Sequence, residues 1–534
     1  MFRSAISRIA FFRAPVERPR LLSWTTILLV LLSVAFQLST LWGITSFKDM
    51  EGGDAAYYMT DAHLILDTGH VRIMWSPLYT ATLAGVLAMT RDAFTALIAT
   101  RVIALLLIAP LVMLLFRRFL SPALAIALFA IFAFNPAYFD AMFTVHLWAL
   151  ILPMLALVIA AYTQPRHSIA WVIALLGVQA LLMRNEYGLA LVLFIVLLVY
   201  PGRLVSLRPI SLARMRHIAR RFWFVPAILA TVVVAMILLS EVSVFGQVFQ
   251  DRTALKHTLN VCQIYAYFLQ QNGDLRVVDP WNGCEITALA DLGAEHPSLV
   301  SAFLHNPAAI VRLMAFNVSL IPNGFQILMS GGFFGGDTPD YWPQRTRVMA
   351  PVIALVFAII AARGFWAHRD AIRRPLTAQV DRGLVVFAML SMSVVGLMIF
   401  VTVTQRPRPS YLFLFGILVL LAVGLGVQAM RHQSTRALAI IAVVGLSSQL
   451  VVSQAVSPIF GPDYSNVFSG VGQPVLQDYR ELQRRIGDLP ATPVNLEITT
   501  AQASWSQCRY LARTQDSCTA LSGPELDVVV RPRE

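Results

Sequence analysis

Charge is scarce in this chain. Of its 534 residues, 13% are Asp, Glu, Lys or Arg and 57% are hydrophobic, whereas soluble domains carry about 25% charged residues. This composition excludes an ordinary soluble enzyme and predicts an all-α polytopic membrane protein, so length alone does not indicate a domain count. The net charge of +12 does not indicate a nucleic-acid partner, because the arginines cluster in short segments between hydrophobic runs, as topology signals do.

Cysteine is scarce as well. The four cysteines show no CxxC or Cys/His spacing of a structural zinc site. They form two local pairs, Cys262 with Cys284 and Cys508 with Cys518, and both pairs fall in segments expected outside the cytoplasm, where disulfides persist. We therefore expect two disulfides; four free thiols are the alternative.

Long hydrophobic runs dominate what is present. About 11 membrane spans (roughly 10–13) are expected, several of them shorter than the ~20 residues of a perpendicular helix. The expected spans are 22–43, 97–116, 120–134, 147–163, 169–183, 187–200, 223–240, 348–362, 383–404, 411–429 and 437–456. Arginine-rich segments place the N-terminus in the cytoplasm and the C-terminus outside, in a multi-pass protein of the cytoplasmic (inner) membrane. The first span lacks a cleavage site and is expected to be retained.

The acidic residues segregate to the outer side of this topology. Only Glu17, Asp370 and Asp381 of the 29 acids fall inside. Because acids contribute little to orientation, their segregation indicates a functional outer surface. Residues 1–456 form the expected transmembrane domain, with a first outer loop at 44–96 and a large outer loop at 241–347.

The first outer loop is expected to hold juxtamembrane helices. An amphipathic helix begins at Asp54 and ends at Gly69, with Asp61 off its apolar face. A second apolar stretch, 76–90, is too short to span comfortably, and its Tyr79 is expected at headgroup level.

Two later segments carry structure of their own. Residues 308–329 in the large outer loop are expected to dip into the membrane without crossing it. Residues 457–534 are expected to form a small extracytoplasmic α/β domain, with a helix at 478–487 and strands at 494–499 and 526–530.

Four motifs on the expected outer face give the chain a specific resemblance. In chain order they are Asp54-Ala-Ala-Tyr57-Tyr58 followed by Trp75-Ser-Pro77-Leu78; Asn135-Pro136 with Asp140; Arg184-Asn-Glu186; and Arg406-Pro-Arg408-Pro-Ser-Tyr411. Together they resemble the GT-C glycosyltransferases, nearest to the aminoarabinose-transferase and protein-mannosyltransferase branch (glycosyltransferase family 39-like). The resemblance covers about residues 40–456.

This resemblance implies an inverting glycosyltransferase. It would move a sugar from a polyprenyl-phosphate donor to a glycan, lipid or protein acceptor outside the cytoplasmic membrane, in contact with membrane lipids. Inversion needs one carboxylate to activate the acceptor hydroxyl, and the resemblance gives that role to Asp54. The leaving phosphate needs positive charge, which arginine supplies through its fork of donors.

The candidate site residues follow from the motifs. The candidate catalytic acids are Asp54, Glu51 and Asp140, with Asp49 as a rival base. The candidate substrate-binding residues are Tyr57, Tyr58, Arg184, Glu186, Arg406, Arg408, Tyr411 and His146.

Each of these assignments has a simpler alternative. Asp54 would also cap the helix that it precedes. Glu51 with Asp54 would suit a divalent cation, which is the one cofactor that the sequence suggests. Arg184 and Glu186 would form a self-contained ion pair. The arginines near Tyr411 would anchor the chain to anionic lipid.

Two other functions remain open. A transporter or flippase for lipid-linked sugars would favour an internal repeat and ionisable residues at mid-membrane, whereas the chain shows no repeat and its acids lie at the outer surface. An O-antigen ligase or polymerase shares outer-face arginines but not an acid-rich loop directly after the first span. An essential acid in a late loop would favour this ligase class.

Overall fold

The computed structural model describes the chain in segments. They are 23–41, 54–69, 71–73, 76–135, 144–163, 165–199, 249–251, 253–277, 280, 283–322, 324, 328, 359–360, 362, 382–405, 407–430, 440, 443, 494–499, 518–520 and 527–532. All structural statements below concern these residues.

The described residues are mostly helical. Ten of the described helices form the apolar bundle or pack against it. They are α1 (Trp24–Thr40), α2 (Asp54–Thr68), α3 (Pro77–Thr90), α4 (Ala93–Phe119), α5 (Pro122–Ala133), α6 (Thr144–Tyr162), α7 (Pro165–Leu182), α8 (Tyr187–Val199), α13 (Arg382–Thr404) and α14 (Phe413–Ala429). A 3-10 turn, Pro409–Leu412, leads into α14.

Four helices of the described part are long and apolar enough to cross a membrane: Thr95–Phe119, Thr144–Tyr162, Val385–Thr404 and Ser410–Gln428. Shorter apolar helices accompany them, such as α5, whose 12 residues reach only about 18 Å. The chain therefore has the helices of a membrane protein. Expected spans 223–240, 348–362 and 437–456 lie almost wholly outside the described residues, so the total of about 11 spans stays a prediction.

The bundle core is aromatic and aliphatic. The phenylalanines at 116, 129, 194 and 413 are fully buried in one continuous cluster. Helix α6 crosses this cluster, so its two termini define two ends of the bundle. The Tyr411 end comprises the starts of α6, α8 and α14 with the ends of α7 and α13. The Tyr162 end comprises the ends of α4, α6 and α14 with the start of α13.

The first outer loop packs against the bundle as two helices, α2 and α3. Helix α2 ends where expected: Gly69 adopts φ +72° and its amide donates to the Ile65 carbonyl at 2.9 Å. Tyr79 is 1% exposed and packs on Tyr58, and its expected depth at headgroup level stays a prediction. One expectation was wrong: Asp61 is 6% exposed. Asp61 follows Tyr58 by three residues, so it shares the buried face.

A helical subdomain follows β2 (Phe249–Asp251), which pairs in parallel with β1 (Val71–Ile73). It contains α9 (Thr253–Gln271), α10 (Cys284–Leu292), α11 (Leu299–His305) and α12 (Pro307–Ser319); we call it the α9–α12 subdomain. The expected Cys262–Cys284 disulfide joins α9 to α10, with a Cα–Cα distance of 5.5 Å.

The surface of this subdomain carries an ion-pair network. Arg276 lies 2.6 Å from Asp274 and 3.0 Å from Asp291, and the Tyr265 hydroxyl donates to Asp291 at 3.0 Å. Hydrogen bonds from Arg276 hold the pKa of the Asp274 carboxyl below its usual value.

Three strands are described near the C-terminus: β3 (Val494–Thr499), β4 (Cys518–Ala520) and β5 (Asp527–Pro532). Strand β3 lies between β4, in parallel, and β5, antiparallel. The expected helix at 478–487 lies outside the described residues, as does Cys508, so the extracytoplasmic domain and the Cys508–Cys518 disulfide stay predictions.

Candidate functional site

A polar pocket opens at the Tyr411 end of the bundle. Its polar walls are His146 from α6, Arg184 and Glu186 from the turn between α7 and α8, and Ser410 and Tyr411 from the 3-10 turn. Its volume is about 20 Å³, room for about one or two water molecules. The pocket thus joins three segments that are far apart in sequence.

The turn that presents Arg184 is fixed by its backbone. The amides of Met183 and Arg184 both donate to the Gln179 carbonyl, at 3.0 and 2.7 Å, and the Tyr187 amide donates to the Arg184 carbonyl at 3.0 Å. The Gln179 side chain donates to the Ala149 carbonyl of α6 at 2.9 Å. Arg184 is therefore held in a defined position against α6.

Arg184 and Glu186 form a close ion pair inside the pocket. The Arg184 Nε and Nη2 atoms lie 2.6 and 2.5 Å from Glu186 Oε1. Burial lowers the pKa of the Arg184 guanidinium, but the charge of Glu186, followed by Tyr411 and Tyr58, raises the pKa above its ordinary value. Arg184 thus keeps its charge. The ion pair with Glu186, which the sequence analysis gave as the simpler alternative, is present in the structure.

A second arginine approaches the same tyrosine. The guanidinium carbon of Arg184 lies 5.2 Å from the centroid of the Tyr411 ring, and that of Arg408 lies 5.7 Å from it. Arg408 has the extended backbone expected between two prolines (φ −63°, ψ 131°). It is 7% exposed, so it lies within the protein rather than on an open lipid-facing surface.

His146 completes the ring of groups around Tyr411. Its imidazole centroid lies 5.1 Å from the centroid of Tyr411, edge-on, and the side chain is 5% exposed. The structure therefore brings together His146, Arg184, Glu186, Arg408 and Tyr411, which the sequence predicted separately.

Ser410 is a pocket residue that the sequence analysis missed. It is 4% exposed, lines the pocket, and its Oγ atom has no hydrogen-bond partner among the residues that the structure describes. A buried hydroxyl without a partner is costly and indicates that something else satisfies it. Its position between Arg408 and Tyr411 in the motif was the one available signal.

The first outer loop reaches the pocket from another side. Tyr58 of α2 is 2% exposed, lies edge-on to Tyr79 at 5.0 Å, and interacts electrostatically with Arg184. The Ser76 hydroxyl donates to the Met183 carbonyl at 2.6 Å, directly beside Arg184. Loop one therefore supports the turn that carries the ion pair.

Two further buried ionisable residues were not predicted as site residues. Asp61 on α2 is 6% exposed and Arg101 on α4 is 2% exposed. Both interrupt apolar sequence within the part of the chain that packs near Tyr58 and Tyr79. Charged groups at such positions are expensive and are commonly functional.

Several predicted residues cannot be placed in the pocket. Asp49, Glu51, Asp140 and Arg406 lie outside the described residues. Asp54 and Tyr57 lie in α2, but their side chains are outside the described part of the structure. The choice of catalytic acid and the cation shared by Glu51 and Asp54 therefore stay predictions.

One other group of potential metal ligands is described, formed by Cys262, Glu285 and His296 within 4.8 Å of one another. The sulfur of Cys262 is bound to Cys284 and so is not a thiolate. The remaining carboxylate and imidazole are fewer than a stable zinc site uses.

The described pocket lining contains one arginine, Arg184, one carboxylate, Glu186, and a buried hydroxyl, and Arg408 lies beside it against the ring of Tyr411. Guanidinium and hydroxyl donors suit an anion with several oxygen atoms. Comparisons with protein-family models, with curated proteins and with solved structures found no match to this chain.

Proposed function

We propose that this chain is an inverting, polyprenyl-phosphate-dependent glycosyltransferase of GT-C type. The Tyr411 end would face the extracytoplasmic side of a cytoplasmic membrane, with the N-terminus in the cytoplasm. The sugar acceptor would be a glycan, a lipid or a protein. The observation that carries the proposal is the convergence of Arg184 and Arg408 on the ring of Tyr411, beside a pocket whose described lining includes one carboxylate, Glu186.

The arginines around Tyr411 support a phosphate ligand. Arg184 in the pocket and Arg408 beside it both lie against the Tyr411 ring, and guanidinium binds phosphate oxygens through paired donors. A phosphate linked to a polyprenyl chain lies at a membrane surface, which is where the apolar helices beneath the pocket would place it.

Glu186 would act as the counter-ion of Arg184 when no phosphate is bound. Its carboxylate occupies the Arg184 fork at 2.5 and 2.6 Å, so a phosphate must compete with it for Arg184. When the sugar–phosphate bond breaks, charge accumulates on the leaving phosphate, and the arginines would stabilise that charge.

The general base is assigned to the first outer loop, with Asp54 as the leading candidate. Asp54 begins α2 and precedes Tyr58 by one helical turn, about 6 Å along the axis. Since Tyr58 lies within electrostatic reach of Arg184, a base at this terminus would lie on the side of the pocket that loop one supports. One carboxylate is sufficient, because a leaving phosphate needs no protonation.

The test uses membranes that contain the wild-type protein or the separate variants Asp54→Asn, Asp49→Asn and Glu51→Gln. Each is incubated with a panel of radiolabelled polyprenyl-phosphate sugars, and label is followed into product. Loss of transfer by about 100-fold or more in Asp54→Asn alone, at normal expression, supports the proposed base. Equal transfer in wild type and all three variants removes these acids from the mechanism.

Two outcomes of this assay would point to other classes. Transfer that depends on an acid late in the chain, and not on loop one, favours a ligase or polymerase. Absence of transfer from every donor in the panel overturns the proposal for those sugars, and lipid-flipping by the same membranes is then the measurement that separates a flippase from a transferase.

A further inference from the structure

Helix α12 has apolar side chains on both of its faces. One face is buried in the α9–α12 subdomain through Ile310, Leu313 and Phe316. The opposite face is exposed, with Val311 at 54% and Val318 at 46%. A helix that is apolar all round belongs inside a core or in contact with lipid.

The two preceding helices also expose large apolar side chains. On α11, Val300 is 69% exposed and Leu304 is 76% exposed, with Phe303 at 44%. On α10, Ile286 is 74% and Leu289 52% exposed. Several large exposed apolar side chains on three consecutive helices mark an interaction surface rather than ordinary surface composition.

The position of α12 identifies what covers this surface. The Asn317 side chain of α12 donates to the Val403 carbonyl at 3.0 Å, which ties α12 to the last turn of α13. Helix α13 is one of the candidate membrane spans, and just before that turn it exposes Ile399 (59%) and Phe400 (48%). Helix α12 therefore packs at the end of a candidate span whose exposed apolar side chains a bilayer would cover.

We infer that helices α10–α12 are seated in the bilayer, in the leaflet at the Tyr411 end, with Val300, Leu304 and Val311 in contact with acyl chains. The 13 residues of α12 reach about 20 Å, less than the ~30 Å of a hydrocarbon core, so this helix lies in the leaflet and does not cross it. Arg312 has a stem long enough to place its charge among headgroups from the same face.

The polar side of the subdomain fits this orientation. Arg276, Asp274 and Asp291 form an ion-pair network beside the loop that follows α9, and such a network belongs in water. Lipid contact on one side and water on the other are the properties of an interfacial, monotopic element.

The proposed lipid-contacting surface of α12 also lies near the pocket in the chain. Gly324, five residues beyond α12, lies so close to Pro407 that an added Cβ atom would clash with the Pro407 carbonyl oxygen. Pro407 directly precedes Arg408. A lipid-linked donor that diffuses in the leaflet along α12 would therefore meet the pocket arginines; this last step rests on the proposed function, whereas the lipid seat does not.

The test measures the depth of spin labels in full-length protein reconstituted into phospholipid nanodiscs. Single labels are placed by Val300→Cys, Leu304→Cys and Val311→Cys, with Asn272→Cys and Glu295→Cys as exposed controls on polar segments. Wild-type protein carried through the same labelling gives the background. Accessibility to oxygen and to a polar nickel chelate is measured at each site by electron paramagnetic resonance.

At the three apolar sites we expect a ratio of oxygen to nickel accessibility on the order of tenfold above the controls, because a polar chelate is excluded from hydrocarbon. A ratio equal to that of the controls would overturn the lipid seat. Exclusion of both reagents would also overturn it, since a protein partner and not lipid would then cover the face. A variant that elutes as aggregate is replaced by Phe303→Cys on the same face.

Discussion

At the Tyr162 end of the bundle, the guanidinium carbon of Arg118 lies 5.8 Å from the ring centroid of Tyr162; at the Tyr411 end, that of Arg184 lies 5.2 Å from the ring centroid of Tyr411. The two arginine–tyrosine contacts have nearly the same geometry. The two arginines, however, donate their hydrogen bonds to different kinds of acceptor. Arg118 donates to the Ala161 carbonyl at 2.8 Å, whereas Arg184 donates to the carboxylate of Glu186.

Main-chain carbonyls at a helix C-terminus need donors, and arginine in the last turn supplies them. At the Tyr162 end this need is met locally: Arg117 donates to the Leu120 carbonyl at 3.3 Å and the Tyr162 hydroxyl to the Leu114 carbonyl at 3.0 Å. At the Tyr411 end the arginine donors face a carboxylate and a pocket. An arginine beside a tyrosine thus has a structural role where main-chain carbonyls accept its hydrogen bonds. It is suited to binding a ligand where its donors face a carboxylate that a ligand can replace.

The largest expected effect that tests this contrast is in Arg184→Ala. We expect sugar transfer to fall about 100- to 1,000-fold, because the variant loses a donor to the leaving phosphate. Arg184→Lys should recover only part of the activity, because an ammonium lacks the planar fork. Radiolabelled transfer in membranes at matched expression measures both.

The matched control is Arg118→Ala at the Tyr162 end, which removes a guanidinium from an equivalent tyrosine ring. Its transfer should stay within about twofold of wild type, apart from any loss of stability from the lost hydrogen bond of about 1.5–3 kcal/mol. Equal losses in the two variants would show that the contrast between the ends has no functional meaning.

An intermediate effect is expected from Glu186→Gln. Removing the carboxylate removes the competitor for Arg184, so a polyprenyl phosphate without sugar should bind about tenfold more tightly, a gain of about 1.4 kcal/mol. Binding is measured by titration of the detergent-solubilised protein with thermophoresis as the readout.

Asp291→Asn is the control for this variant, because it removes a carboxylate from Arg276 in the α9–α12 subdomain and should leave binding unchanged. Weaker phosphate binding in Glu186→Gln would contradict the exchange of Glu186 for phosphate and favour a purely structural ion pair.

A smaller effect is expected from Ser410→Ala. The Ser410 hydroxyl has no hydrogen-bond partner in the pocket, so it is available to a phosphate oxygen; its loss should weaken polyprenyl-phosphate binding about tenfold, as for a hydrogen bond to a charged group. The apparent melting temperature should be unchanged or higher, because an unsatisfied buried hydroxyl is removed.

Ser393→Ala is the matched comparison. Its hydroxyl is also buried but donates to the Met389 carbonyl of its own helix at 2.8 Å, so phosphate binding should not change. If Ser410→Ala binds polyprenyl phosphate as wild type does, Ser410 is not part of the ligand site.

Much of the Tyr411 end could be predicted from the sequence, because its arginines break apolar runs at turns. Arg184 and Arg408 were predicted as candidate site residues from the motif resemblance and from their position, and helix α2 with its end at Gly69 followed from periodicity. That these residues share one pocket needed the structure, because no local pattern gives the distance between separate turns.

The residues that were misjudged share a physical cause. Periodicity shows which residues share a helix face but not what covers that face, and in a membrane protein lipid and protein both cover apolar faces. Asp61 was therefore expected off a face that the structure buries. Ser410 gave no signal because serine fits turns of every kind.

The smallest expected effect is in Tyr162→Phe, which keeps the aromatic ring under Arg118 and removes the hydroxyl that donates to the Leu114 carbonyl. We expect a loss of about 1 kcal/mol of stability, seen as a lower melting temperature, with polyprenyl-phosphate binding and sugar transfer within about twofold of wild type. Changed binding at unchanged stability would show that the Tyr162 end communicates with the pocket through α6. Because α6 carries His146 at its other terminus, that outcome would make the two ends parts of one site and not a structural end and a ligand-binding end.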